Sequence, residues 1–286
     1  MKLFAKRSTA IFGSLSAIVA VFCFSTNDVA IKFISKDYAL HLVVLIRSLV
    51  GLIVLFLFIV PLSGGVKVLY TNRLGLHLLR GFCVVFANIT FFLGLAALPL
   101  AEGVAIFFIS PLLITIFSVV FLKEIVGPRR WAAVTIGLIG VLIILRPGSA
   151  TFQTASLLPL SAAFGYATLH MLTRYIGKTE SAASMSFYIQ LTFLVVCLML
   201  GLTIGDGKFS GWNDPSLEFL FRAWSWPSSD HYSILILIGT TSAFGGFFIS
   251  QAYRISEAAV VAPFEYIALP IAIFWGVLVF GEWPDK

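Results

Sequence analysis

Residues 101–130 read AEGVAIFFISPLLITIFSVVFLKEIVGPRR, and residues 256–286 say nearly the same thing again as SEAAVVAPFEYIALPIAIFWGVLVFGEWPDK. Both copies open on a small residue followed by glutamate, Ala101-Glu102 and Ser256-Glu257. Each continues as one apolar segment broken by proline, at Pro111 and Pro270, and closes on a glutamate, Glu124 and Glu282. Proline and closing glutamate are 13 residues apart in the first copy and 12 in the second, a duplication with one gap. A proline-interrupted apolar segment at matching places in two halves is the pattern of membrane transporters built from internal repeats. The interruption frees backbone groups to line a site near mid-membrane.

The composition carries the same message. Of 286 residues, 59% are hydrophobic and 11% charged, and the mean hydropathy is +1.02. A soluble domain carries about 25% charged residues and does not expose so large an apolar surface. The apolar runs have the roughly 20 residues a helix needs to cross a bilayer core of about 30 Å. They do not alternate as barrel strands do. Nine helices are predicted, over residues 9–34, 39–61, 76–98, 101–122, 130–146, 155–177, 182–204, 232–255 and 257–281. The first follows Lys2, Lys6 and Arg7 like a signal sequence, but it lacks a small-x-small cleavage site and is read as retained. Cys23, Cys83 and Cys197 fall inside helices at no metal-ligand spacing, so neither a zinc site nor a disulfide is expected. With no phosphate-binding glycine loop and no ordered nucleophile, no cofactor is expected and the chain does not read as an enzyme.

The basic residues set an orientation. With the N-terminus inside, eleven lie on the inner side and five on the outer, which by the positive-inside rule predicts a cytoplasmic N-terminus in a bacterial inner membrane. The net charge of +6 is thereby an orientation signal and not a nucleic-acid footprint. One long connection, residues 206–231, holds Trp212, Trp224 and Trp226 around an LEFLFRAW core that reads as an interfacial helix with its tryptophans at headgroup level. Residues 1–148 hold five helices. An odd number forces a second repeat, 152–286, to enter the membrane inverted. That half shows four helices, so a tenth is expected beyond Glu282. The fold class is therefore an all-α polytopic membrane protein, an inverted repeat of two five-helix bundles with nine of ten helices in this chain.

These residues resemble the EamA type of drug/metabolite transporter. The likeness rests on the duplicated small-Glu start, the broken helix, the closing Leu122-Lys123-Glu124 and Phe280-Gly281-Glu282, and Arg130-Trp131 opening helix 5. Gly137, Gly140 and the terminal Arg146-Pro147-Gly148 fit the same pattern. Within that type the chain is similar to bacterial S-adenosylmethionine uptake transporters through Asn27-Asp28 with Lys32, Arg47, Leu79-Arg80-Gly81, Ala262-Pro263 with Tyr266, and Glu282. Riboflavin uptake proteins are a second relative. Glu265 departs from the basic residue of the S-adenosylmethionine group. The resemblance implies two inverted repeats and uptake of a small metabolite; other members export amino acids or metabolites.

Ionisable groups deep in a bilayer are costly and mark functional positions. Asp28 and Lys32 lie one turn apart, where they pair with each other or serve substrate and proton binding. Arg47 is too deep in its helix to snorkel and is expected to face the bundle interior, with a substrate anion, Asp28 or Glu265 as partner. Arg80 lies close enough to its helix start to snorkel. Glu265 stands between Pro263 and Pro270, where local unwinding opens beside a cavity. A constant offset of 142 residues lays His170 on Asp28 and Arg174 on Lys32, placing titratable groups at mirror depths. Tyr166, Tyr188, Gln190, Asn88, Gln251, Tyr253 and Tyr266 are candidate ring faces and hydrogen-bonding groups for a substrate, or helix–helix glue. The expected machine is a secondary transporter with its site between helices 1–4 and 6–9, moving a small molecule with a coupling proton or counter-substrate, as a monomer or homodimer. The rivals are a membrane-embedded enzyme on lipid-linked substrates and a non-transporting subunit in which Arg47 and Glu265 are sealed together.

Overall fold

The computed structural model describes residues 2–145 and 153–283; the tenth-helix expectation falls outside them. The helices are α1 (Lys2–Ile34), α2 (Leu40–Leu62), α3 (Leu74–Ala97), α4 (Leu100–Leu122), α5 (Pro128–Leu145), α6 (Leu157–Ile176), α7 (Ala182–Ile204), α8 (Tyr232–Ile255) and α9 (Ala258–Phe280). Apart from the start of α1, they lie within about two residues of the ranges read from hydropathy. Among the described residues, eight helices are long and apolar enough to cross a membrane. Phe12, Phe22, Phe58, Phe82 and Leu202 stand exposed on the flanks, as a lipid-facing surface requires.

Much of the helix packing repeats between the first and second halves of the chain. The α1 helix lies along α8 as α6 lies along α3, α2 packs on α8 as α7 packs on α3, and α4 touches α6 as α9 touches α1. The self-matched pairs α2–α7 and α4–α9 meet where the halves join. Glycine permits the closest crossings. A Cβ on Gly165 would meet the Cys83 carbonyl of α3 at 3.0 Å, and one on Gly245 would meet Phe24 of α1 at 2.9 Å.

The duplicated segment is broken in both copies. The α4 helix pauses after Phe107 and restarts at Ser110, with Pro111 in its first new turn. In α9, residues Ala262–Ile267 tighten into a 3₁₀ stretch with Pro263 at its start, and Pro270 sits in the first turn of the following segment. Proline is tolerated in a first turn because its missing N–H has no helical acceptor there. The two copies also end alike. Lys123 (φ 55°) and Gly281 (φ 67°) take the left-handed conformation. The next N–H, of Glu124 and Glu282, bonds six residues back, to Ser118 at 3.1 Å and Gly276 at 3.0 Å. This left-handed cap closes a bond one residue wider than that of a Schellman motif, and it turns each closing glutamate back toward the bundle.

The 206–231 connection folds over one end of the bundle. Its short helix, Pro215–Phe221, is capped by Asp214, which accepts the Leu217 N–H at 3.0 Å. Phe219 buries against the core, and Ser216 donates to the Leu93 carbonyl at 2.7 Å. The expectation of three headgroup tryptophans needs correction. Trp212 and Trp226 are exposed, but Trp224 turns inward and its indole N–H donates to His41.

Candidate functional site

The described helices other than α5 contribute to one internal cavity of about 160 Å³. Its polar lining is Asn27 and Asp28 from α1, Arg47 from α2, Asn88 from α3, Tyr166 and His170 from α6, Ser186 and Gln190 from α7, Ser242 from α8 and Glu265 from α9. Its apolar walls include Phe91, Phe92, Phe107, Phe108 and Phe193. The cavity thus occupies the junction of the halves, where both broken helices arrive.

Arg47 reaches it from the middle of α2, with 3% of its surface exposed. Its guanidinium lies over Phe193 at 4.6 Å and donates from Nη2 to Asn88 at 2.9 Å, while Nε has no partner. Among the described residues, no ion pair within 4 Å includes Arg47 or Asp28. The sealed Arg47–Glu265 pair is not formed. Glu265 instead takes a hydrogen bond from the hydroxyl of Tyr253. It lies within the 3₁₀ stretch that interrupts α9. His170 is stacked against Tyr253 at 4.2 Å and set edge-on to Tyr166 at 4.1 Å, and both of its ring nitrogens lack partners. It is not the hydroxyl-bonded core histidine that a packing role predicts. Buried polar atoms are nearly always satisfied, so three such nitrogens on one cavity are positioned to meet a ligand.

The chemistry is two-poled. Arg47 with Asn88 offers a cationic, donor-rich surface; Asp28 and Glu265 offer carboxylates; phenyl and phenol rings offer flat faces between them. Such a site suits a small molecule with a planar ring and polar or charged substituents.

Other sequence candidates stand elsewhere. Lys32 pairs with Glu282 at 2.9 Å and not with Asp28, because the end of α9 reaches it at the end of α1. Arg80 does not snorkel. It is 1% exposed and donates to Thr173 at 3.1 Å and the Met185 carbonyl at 3.5 Å, tying α3 to α6 and α7. Tyr188 donates to the Leu69 carbonyl at 3.2 Å and stacks on His77, and Gln251 accepts from Arg254 at 3.1 Å. Tyr266 packs beside Phe108 at 5.3 Å with its hydroxyl buried and unpartnered. Asn27 lines the cavity while donating to the Ile238 carbonyl at 2.7 Å, so it also clamps α1 to α8. Sequence reasoning missed the phenylalanine walls, because nothing local separates six cavity residues from the other members of a set of 28. It also missed Glu180, read as part of a connection. This carboxylate is buried and takes bonds from Thr71 at 2.9 Å, His77 at 3.2 Å and Ser184 at 3.3 Å.

Residues 11–146 match the profile of the EamA-like transporter family. A riboflavin transporter of Vibrio cholerae is 30% identical over 95% of this chain and 86% of its own length. The chain belongs to the EamA-like transporter family. It is accordingly a multi-pass membrane protein of the drug/metabolite transporter superfamily and a secondary transporter of a small molecule. An S-adenosylmethionine uptake transporter of Rickettsia prowazekii is 29% identical, with 92% of this chain and 82% of that protein aligned. A pseudopaline exporter of Pseudomonas aeruginosa is 25% identical over 96% of this chain and 89% of the exporter. A protein of known crystal structure shares the fold, with a TM-score of 0.72 at 17% identity, covering 96% of this chain and 90% of that one.

Proposed function

We propose that this protein is an inner-membrane carrier that takes up a small metabolite with a planar ring and polar substituents, by alternating access. The observation that carries the reading is the unpaired Arg47 in an aromatic cavity, facing Asp28 and Glu265, where the two halves meet. A buried charge without a contact counter-ion is retained where something else supplies the partner. The halves are residues 1–148 and 152–286, each one repeat, and their pairwise exchange of helix contacts supports that division. The excess of basic residues on one side supports a cytoplasmic N-terminus. Asp28, Arg47, His170 and Glu265 form the substrate or coupling set, with Asn88, Tyr166 and Gln190 beside them and Tyr266 against Phe108 of the cavity wall. Energy comes from a proton or counter-substrate gradient, and the protein performs no covalent chemistry on its cargo.

The relatives named for riboflavin and S-adenosylmethionine uptake make those the first substrates to try, since both carry a planar heteroaromatic ring. The pseudopaline exporter supports a second reading, in which the same cavity runs outward. The test is uptake of labelled S-adenosylmethionine and riboflavin into cells expressing the chain, against Arg47→Ala and Glu265→Gln at equal membrane levels. Saturable uptake lost in both variants supports the reading. Variants that transport as well as the parent refute the site.

A further inference from the structure

Two ion pairs outside the cavity are counterparts in the two halves. Lys32 at the end of α1 meets Glu282 at 2.9 Å, just past the end of α9. Arg174 at the end of α6 meets Glu124 at 3.1 Å, just past the end of α4. The surroundings match as well. Lys32 donates to the Leu98 carbonyl at 2.6 Å where α3 ends, and Arg174 donates to the Arg254 carbonyl at 3.2 Å where α8 ends. The Glu282 carboxylate accepts the Leu100 N–H at 2.8 Å at the start of α4, and Glu124 accepts the Ala258 N–H at 3.4 Å at the start of α9. Each glutamate is aimed by its own left-handed helix cap.

Each assembly therefore ties the corner of one half to the tail of the other. The first lies at the bundle end that carries the 206–231 connection, where Arg222 also bonds the Ser35 carbonyl at 2.9 Å. The second lies at the opposite end, where Arg254 bonds the Glu180 carbonyl at 3.0 Å. The cavity sits between them. Side-chain exposures of 12% and 27% in one pair, and 25% and 11% in the other, leave each at the rim, where water replaces the lost contact on opening.

We propose that Lys32–Glu282 and Arg174–Glu124 are the two gates of the carrier, one at each mouth, and that each pair, while formed, restricts entry to the cavity from its own face. Opening toward either face breaks that face's pair and leaves the other intact. Because the closing glutamates belong to the duplicated segment, the duplication itself supplies one gate per face. The proposal rests on the carrier reading above, but its test needs no transported substrate, so the two can fail separately.

The experiment places a reporter thiol in the cavity, Ser186→Cys, in a chain with Cys23, Cys83 and Cys197 changed to Ala. Labelling by a membrane-impermeant thiol reagent is then timed in right-side-out and inside-out vesicles. Lys32→Ala should raise the labelling rate about tenfold from the face of the 206–231 connection and not from the other. Arg174→Ala should do the reverse. The exchanged pairs, Lys32→Glu with Glu282→Lys and Arg174→Glu with Glu124→Arg, rebuild the ion pair but not the bonds to the Leu98 and Arg254 carbonyls and the Leu100 and Ala258 N–H groups, and should label more slowly than the single charge reversals Lys32→Glu and Arg174→Glu. If Lys32→Ala is lost from the membrane, Glu282→Gln removes the charge, keeps an acceptor for the Leu100 N–H and should open the same face. Unchanged labelling in both variants, labelling raised from both faces at once, or exchanged pairs that label as fast as the single charge reversals would overturn the proposal.

Discussion

Replacing Arg47 by methionine separates a binding role from a structural one. In the folded protein the side chain gives one charge-assisted hydrogen bond, to Asn88, and lies over the Phe193 ring. A charge-assisted bond stabilises by about 1.5–3 kcal/mol, and a desolvated cation–ring contact by about 2 kcal/mol. Against these stands the desolvation of a guanidinium that has no contact counter-ion, an effective cost of several kcal/mol. Methionine keeps comparable apolar bulk against Phe193 and removes the unpaired charge, and Asn88 faces the cavity and can be hydrated there. The opposing terms leave stability within about 1 kcal/mol of the parent, a melting shift of no more than about 4 °C. Transport behaves differently. A ligand group bonded by Arg47 loses about 2–3 kcal/mol, or roughly 30–150-fold in uptake efficiency. Melting in detergent and initial uptake rates are measured on the same preparations. A melting point lowered by 10 °C or more would show that Arg47 holds the bundle together, and the reasoning would be wrong.

Three further outcomes follow from particular contacts. Lys123 holds the left-handed position that Gly281 fills in the second copy, so Lys123→Gly should stabilise by about 1 kcal/mol, read as a higher melting point; a lower one would contradict the strain argument. Glu180→Ala strands the donors of Thr71, His77 and Ser184 and should cost about 3 kcal/mol, lowering the melting point by about 6–10 °C; an unchanged melt would count against it. The Gly211 and Trp212 N–H groups, with Arg222, hold the Glu218 carboxyl below its ordinary value. A depressed folded value stabilises the loop above the unfolded value, near about 4.3, and that stability is lost as pH falls through the folded value. The protection of the Gly211 and Trp212 amides against exchange, taken relative to the intrinsic rate at each pH, should therefore fall on acidification, and in Glu218→Gln it should be low at every pH; a parental profile in that variant would contradict the assignment.

The architecture was legible because a bilayer leaves few choices. Twenty apolar residues cross as a helix, and proline in the duplicated segment marks where the crossing is interrupted. Glu265 could be picked from sequence for that reason, and the interior location of Arg47 from its depth in α2. Pairings were not legible. Lys32 and Asp28 are ideally spaced on one helix, yet Lys32 takes Glu282, which lies 250 residues away and is delivered by a cap whose geometry no hydropathy profile encodes. Arg80 looked close enough to the surface to snorkel, but α6 and α7 cover it and supply acceptors. Trp224 carried the signature of an interfacial residue and instead buries its indole N–H on His41. In each case local spacing was read correctly and a distant element supplied the nearer partner.

The central claim, that the cavity exchanges a solute between two faces, is tested most directly by counterflow in proteoliposomes. Vesicles are preloaded with unlabelled riboflavin or S-adenosylmethionine, and the labelled compound is added outside. A carrier with one alternating site predicts transient accumulation of label above its equilibrium level for the true substrate, abolished by Arg47→Ala. Label that only equilibrates, at the rate of protein-free liposomes for both compounds and for a wider panel of ring-bearing metabolites, would contradict the account.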